Sequence, residues 1–133
     1  MKARATTTAS TTPDVASPAL ISSDRVNGTD VYGVQREKVG SIDHLMIDKR
    51  SGVVAYAVMS FGGFLGLGED HYPIPWKQLR YDESLDGYIT ELDESRIKSA
   101  PTPPQNWSSN RKWETNLHDH YMVDYYWMRT PMI

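Results

Sequence analysis

Gly62-Gly63-Phe64-Leu65-Gly66-Leu67-Gly68 sets four glycines in seven residues between the apolar run Val53 to Phe61 and the segment Tyr72-Pro73-Ile74-Pro75-Trp76. Glycine admits positive φ and close approach of neighbouring backbones, so the stretch reads as a sharp corner between two strands that presents Phe64 and Leu65. Gly63 and Gly68 have the Gly-x4-Gly spacing of a phosphate-binding loop. Glu69 and Asp70 stand where the Lys and Ser/Thr of such a loop belong, and two carboxylates repel phosphate.

On either side of the corner, short apolar runs alternate with turn residues, the pattern of a small all-β sandwich or barrel. Strands are expected near 30–35, 38–48, 53–61, 71–76 and 87–92, with one helical turn over 22–28 and a capped helix over 93–99. In the run Val53 to Phe61 the odd positions are Val, Ala, Ala, Met and Phe, and the even ones Val, Tyr, Val and Ser. Both faces of that strand are therefore largely apolar. One face can line a barrel interior, with Ala55 and Ala57 suited to a narrow lumen, and the other needs cover from further chain or another subunit.

Ala100-Pro101-Thr102-Pro103-Pro104 breaks the helical pattern and forms a stiff connector. Residues 107–127 then hold Trp107, Trp113, Tyr121, Tyr125, Tyr126 and Trp127, six of the chain's fourteen Phe, Trp and Tyr residues. Trp113, Leu117 and Tyr121 recur every four residues, which predicts an amphipathic helix over about 108–121 with an aromatic stripe. The stripe is expected to cover a β surface of its own chain or of another subunit.

The ordered run Ser22-Ser23-Asp24, Asp30-Val31-Tyr32, Lys38-Val39-Gly40-Ser41-Ile42, Val53 to Ser60, the glycine corner and Pro73-Ile74-Pro75-Trp76 resembles the PRC-barrel domain. That is the small β-barrel of the H subunit of purple-bacterial photosynthetic reaction centres and of the C-terminal part of a bacterial 16S rRNA-processing factor. The resemblance covers residues 20 to about 98. Trp107 to Trp127 looks like the aromatic extension of stand-alone bacterial members, with Met122-Val123-Asp124 where those tend to carry a Gly-Val-Pro turn. The resemblance implies an all-β, PRC-type barrel over 19–99; the Thr/Ala/Ser-rich composition of 1–18 predicts a disordered tail before it, and the residues after it read as a Pro-rich connector (100–106) and a helical aromatic extension (107–133). The resemblance also implies two roles: peripheral assembly or regulation of a photosynthetic or other membrane electron-transfer complex, and ribosome-associated RNA maturation.

With 133 residues, no cysteine and a formal charge of -3, the chain offers no disulfide scaffold, thiolate metal site or thiol nucleophile. That usage is compatible with a reducing compartment, and the cytoplasm is the expected location. No apolar run is long enough to span a bilayer, so any membrane contact is expected to be peripheral. Residues 19–100 hold nine Lys/Arg against thirteen Asp/Glu and residues 101–133 hold three of each, so no basic face argues for direct nucleic-acid binding. His118 and His120 sit two apart, which on a helix turns their rings about 200° from each other and away from one metal ion. They read as solvated or stacking histidines. No serine sits in a nucleophile turn, and no catalytic residue, metal ligand or cofactor is assigned.

The expected function is a non-enzymatic adaptor or scaffold that works through protein contacts and self-associates. Its expected packing or interface anchors are Phe64, Leu65, Trp76, Trp113, Leu117, Tyr121, Tyr126 and Trp127.

Overall fold

The computed structural model describes residues 19–61 and 71–128. The glycine corner with Phe64 and Leu65, and the tail over 1–18, lie outside the described residues. Six strands form one sheet: β1 (Asp30–Tyr32), β2 (Lys38–Ile47), β3 (Val54–Ser60), β4 (His71–Pro75), β5 (Arg80–Asp82) and β6 (Gly87–Ile89). Their order is β4-β3-β2-β1-β6-β5, with β1 and β6 parallel and the other pairs antiparallel. Among the described residues no strand pairing closes the sheet. A 3₁₀ turn, Trp76–Gln78, carries the chain from β4 at one end to β5 at the other. This is the architecture of a small PRC-type barrel with one side left open.

The long β2–β3 pair sets the frame, and a glycine permits it. A Cβ on Gly40 would lie 2.3 Å from the backbone oxygen of Ser60, so only glycine fits where β2 approaches the end of β3. The register of β2 slips near Asp43 and again between Met46 and Ile47. These bulges bend the strand and leave Ile47 about half exposed at its end.

Strand β5 is absent from the sequence expectation. Arg80-Tyr81-Asp82 shows no apolar alternation, but Asp86-Gly87 behind it is a hairpin signal, and Asp86 does take a positive φ of 49°.

Strand β3 is buried along nearly its whole length, as its two apolar faces require. Ala57, Met59 and Phe61 join Val31, Ile42 and Ile74 in the core. The even face is covered at Tyr56 by the chain's own C-terminal residues. After the turn α1 (Ser23–Val26) and the helix α2 (Glu94–Lys98), the chain forms α3 (Arg111–Tyr121). Helix α3 starts at Arg111 because Trp107–Ser109 form a 3₁₀ turn and the Asn110 side chain caps the helix, accepting from the Trp113 N–H at 3.0 Å. Trp113, Leu117 and Tyr121 are at most 5% exposed and belong to the same core as the barrel residues. The Trp113 indole N–H donates to the Pro101 carbonyl at 3.1 Å, which ties the connector to the helix. Arg96 on α2 donates to the His120 carbonyl through Nε (3.2 Å) and Nη2 (2.9 Å), and His120 Nε2–H donates to the Arg96 carbonyl at 2.7 Å. Helix α3 ends on Met122 in the left-handed conformation (φ 58°, ψ 44°), where the Val123 N–H reaches back to the His118 carbonyl at 3.2 Å.

Candidate functional site

Where the β2–β3 turn meets the start of α3, the surface opens into a cleft of about 440 Å³. Met46, Ile47, Asp48 and Lys49 border it from the sheet, Trp107 and Arg111 from the extension, and Tyr56, Glu114 and Tyr126 form its inner wall. A second cleft, about 370 Å³, runs between β4 and the proline connector beside Tyr72 and Lys98.

The inner wall is organised by Glu114, a carboxylate only 5% exposed. Burying an unpaired carboxylate costs several kcal/mol, on the order of 3–5 or more, so it needs partners. Its Oε1 accepts from the Tyr56 hydroxyl at 2.7 Å and from the Tyr126 hydroxyl at 2.5 Å. Its Oε2 faces Nε of Arg111 at 3.4 Å. Burial first, and then the bond to Glu114, pushes both tyrosine hydroxyls well above their ordinary range, so they remain protonated donors. The Arg111 guanidinium lies over the Trp127 ring at 3.9 Å. Trp127 in turn stacks on Tyr125, with the rings 2° from parallel and 4.8 Å apart.

His118, one helical turn beyond Glu114, is 1% exposed and therefore not solvated. Its ring contacts Tyr56, Tyr125, Tyr126 and Trp127 at centroid distances of 5.5, 5.8, 5.7 and 5.2 Å. Nδ1 lies 2.7 Å from the Glu114 carbonyl, which can only accept, so Nδ1 carries the proton. Burial holds this imidazole below the ordinary histidine range, partly offset by that bond and by the Glu114 charge.

Of the anchors expected from sequence, Phe64 and Leu65 lie outside the described residues. Trp113, Leu117 and Tyr121 sit in the chain's own core. Trp76 is half-buried against Tyr88, ring centroids 5.3 Å apart. Tyr126 is half-buried and lines the cleft, and Trp127, also half-buried, meets it only through Arg111. The expectation missed Tyr56, Trp107, Arg111 and Glu114 as a group. One signal was available: a buried helix face is wider than a single i, i+4 row, and Glu114 and His118 lie on the row beside Trp113 and Leu117.

Among the described residues no group of three His, Asp or Glu side chains is placed to hold a metal ion, and no helix is long and apolar enough to cross a membrane. The exposed pair His44 and His71 shares Asp43, at 2.7 and 3.7 Å, and the bond from His44 is the main reason that carboxyl lies below its usual range.

The open six-stranded barrel with a glycine-dependent β2–β3 approach defines a class of small all-β domain. Residues 19–97, more than half of the chain, match the PRC-barrel domain, and the chain belongs to that family. No curated protein matches the chain. Among solved structures it is similar to a protein described as the 16S ribosomal RNA processing protein RimM of Pseudomonas aeruginosa, at 22% identity and a TM-score of 0.36. The match covers 62% of this chain and 49% of that one, so the similarity spans about half the length of the RimM protein.

Proposed function

We propose that this PRC-barrel protein is a non-enzymatic protein-interaction module whose contact site is the cleft between the β2–β3 turn and α3. The carrying observation is Ile47, a large apolar side chain 51% exposed at the lip of a concave site walled by Tyr56, Trp107 and Tyr126. Aromatic and aliphatic anchors inside a charged rim are the usual anatomy of a binding hot spot. The inner-wall groups that could do acid–base chemistry are bound to each other: both tyrosine hydroxyls donate to Glu114, and Glu114 faces Arg111, while Asp48 and Lys49 stand on the sheet side of the cleft. That arrangement favours a rigid recognition surface over a reaction site.

Cutting the chain after Pro104 would remove Trp113, Leu117 and Tyr121 from the core, so truncation is a poor test. A tagged full-length chain and its Ile47→Asp variant, compared in pull-downs from source-cell lysate, keep the fold. Recovery of a distinct protein that Ile47→Asp loses supports the reading. Equal recovery by both chains overturns the cleft as the contact site. Self-association is the narrower form of the proposal. Light scattering checks it, with a concentration-dependent mass of two or more chains expected.

A further inference from the structure

We propose that the cleft receives an acidic side chain, carried beside an apolar residue on an exposed segment of a protein partner. The inference rests on the protein-contact reading above and adds the chemistry of the occupant. The carboxylates at the cleft are used internally. Glu114 accepts from two tyrosines and faces Arg111. Asp48 accepts from the Ser51 hydroxyl at 2.7 Å and from the Arg50 N–H at 3.3 Å, and these bonds, with a smaller contribution from the Arg111 charge, lower its carboxyl below the usual range.

The cations are not used in the same way. The Arg111 side chain is 53% exposed. Its Nε faces Glu114 and its plane rests on Trp127, while its two terminal nitrogens make no hydrogen bond among the described residues. Lys49, exposed on the sheet side of the cleft, has no ion pair among the described residues. A guanidinium held by a buried carboxylate and a ring is preorganised, and its free edge matches a carboxylate with two parallel N–H donors. Met46, Ile47 and Trp107 line the same cleft and offer apolar surface in it. Two cations and a net charge of -3 give no long positive track for a nucleic-acid backbone, and charge is screened beyond about 8 Å at physiological salt, so recognition here is short-ranged.

Random peptides displayed on phage, selected on the full-length chain, test the inference. Enriched peptides are expected to carry Asp or Glu next to an aliphatic or aromatic residue. The best of them, made synthetically, is expected to bind Arg111→Gln at least about tenfold more weakly and Lys49→Gln about threefold more weakly. Lys49 is exposed, so its variant keeps the test valid if Arg111→Gln disturbs the fold. Arg111→Lys keeps the charge without the fork and is expected to fall between wild type and Arg111→Gln. Enrichment of neutral or basic peptides, affinity unchanged in both neutralised variants, or no enrichment overturns the inference. So does binding of a single-stranded RNA in place of any peptide, or an Arg111-dependent self-dimer that selects none. Neutral peptides whose binding Ile47→Asp abolishes would remove the acidic occupant and leave the protein-contact reading standing.

Discussion

The row Trp113, Leu117 and Tyr121 on α3 and the neighbouring row Glu114 and His118 are equally buried, at 5% exposure or less, yet different forces keep them there. The first row is held by removal of apolar surface from water, worth about 1.5–3 kcal/mol for a fully buried large side chain. The second contains a carboxylate and an imidazole whose burial is unfavourable unless their polar atoms are satisfied. Tyr56 and Tyr126 satisfy Glu114, the Glu114 carbonyl satisfies His118 Nδ1, and four aromatic rings surround the imidazole. The apolar row joins the extension to the barrel, and the polar row fixes the shape of the cleft beside it.

Substitutions separate the two rows. Leu117→Ala is expected to cost about 2–5 kcal/mol in denaturant unfolding, because it opens a cavity where α3 meets the barrel. Glu114→Ala is expected to cost about 1–3 kcal/mol by leaving the buried Tyr56 hydroxyl and the half-buried Tyr126 hydroxyl without their acceptor. A smaller loss in Glu114→Ala carrying Tyr56→Phe and Tyr126→Phe would show that the orphaned hydroxyls cause it. If Glu114→Ala costs nothing, the polar row is incidental to the fold.

The pH dependence should come from the second row. The folded-state pKa of His118 is lowered, so below its unfolded value of about 6.5 the unfolded chain binds more protons than the folded one. Stability is therefore full above that value and falls as pH drops below it. Thermal melts between pH 7 and 5 are expected to show this decline, and His118→Phe to flatten it. Asp48, Asp82 and Asp93 have lowered values, so their contributions are lost in a separate window, below the ordinary 3.8. The smallest effect is expected at the end of the helix. Met122 holds a left-handed conformation that glycine adopts freely, so Met122→Gly is expected to stabilise by up to about 1 kcal/mol in the same unfolding assay.

The apolar row was legible from sequence because Trp113, Leu117 and Tyr121 repeat at helical spacing. The need for cover on both faces of β3 was equally plain in Val53 to Phe61. The polar row was not legible, because Glu114 and His118 lower the apolar count of the face on which they lie. One of the two donors to Glu114 is Tyr56, on a strand 58 positions away in sequence. Strand β5 escaped for a related reason, since Arg80 and Asp82 flank a single half-exposed Tyr81 and leave no apolar run, whereas the equally short β1 and β6 carry Val31 and Tyr88-Ile89. The family signature depended on backbone demands that residue types record directly, such as Gly40 against Ser60 and the prolines of β4.

A photo-crosslinking residue introduced in place of Ile47, with the same residue in place of Arg80 on β5 as control, tests the central claim most directly. The account predicts protein adducts from position 47 in the source cell, absent at position 80 and lost when Arg111→Gln is added. Equal adducts from both positions, or none from position 47, would contradict it.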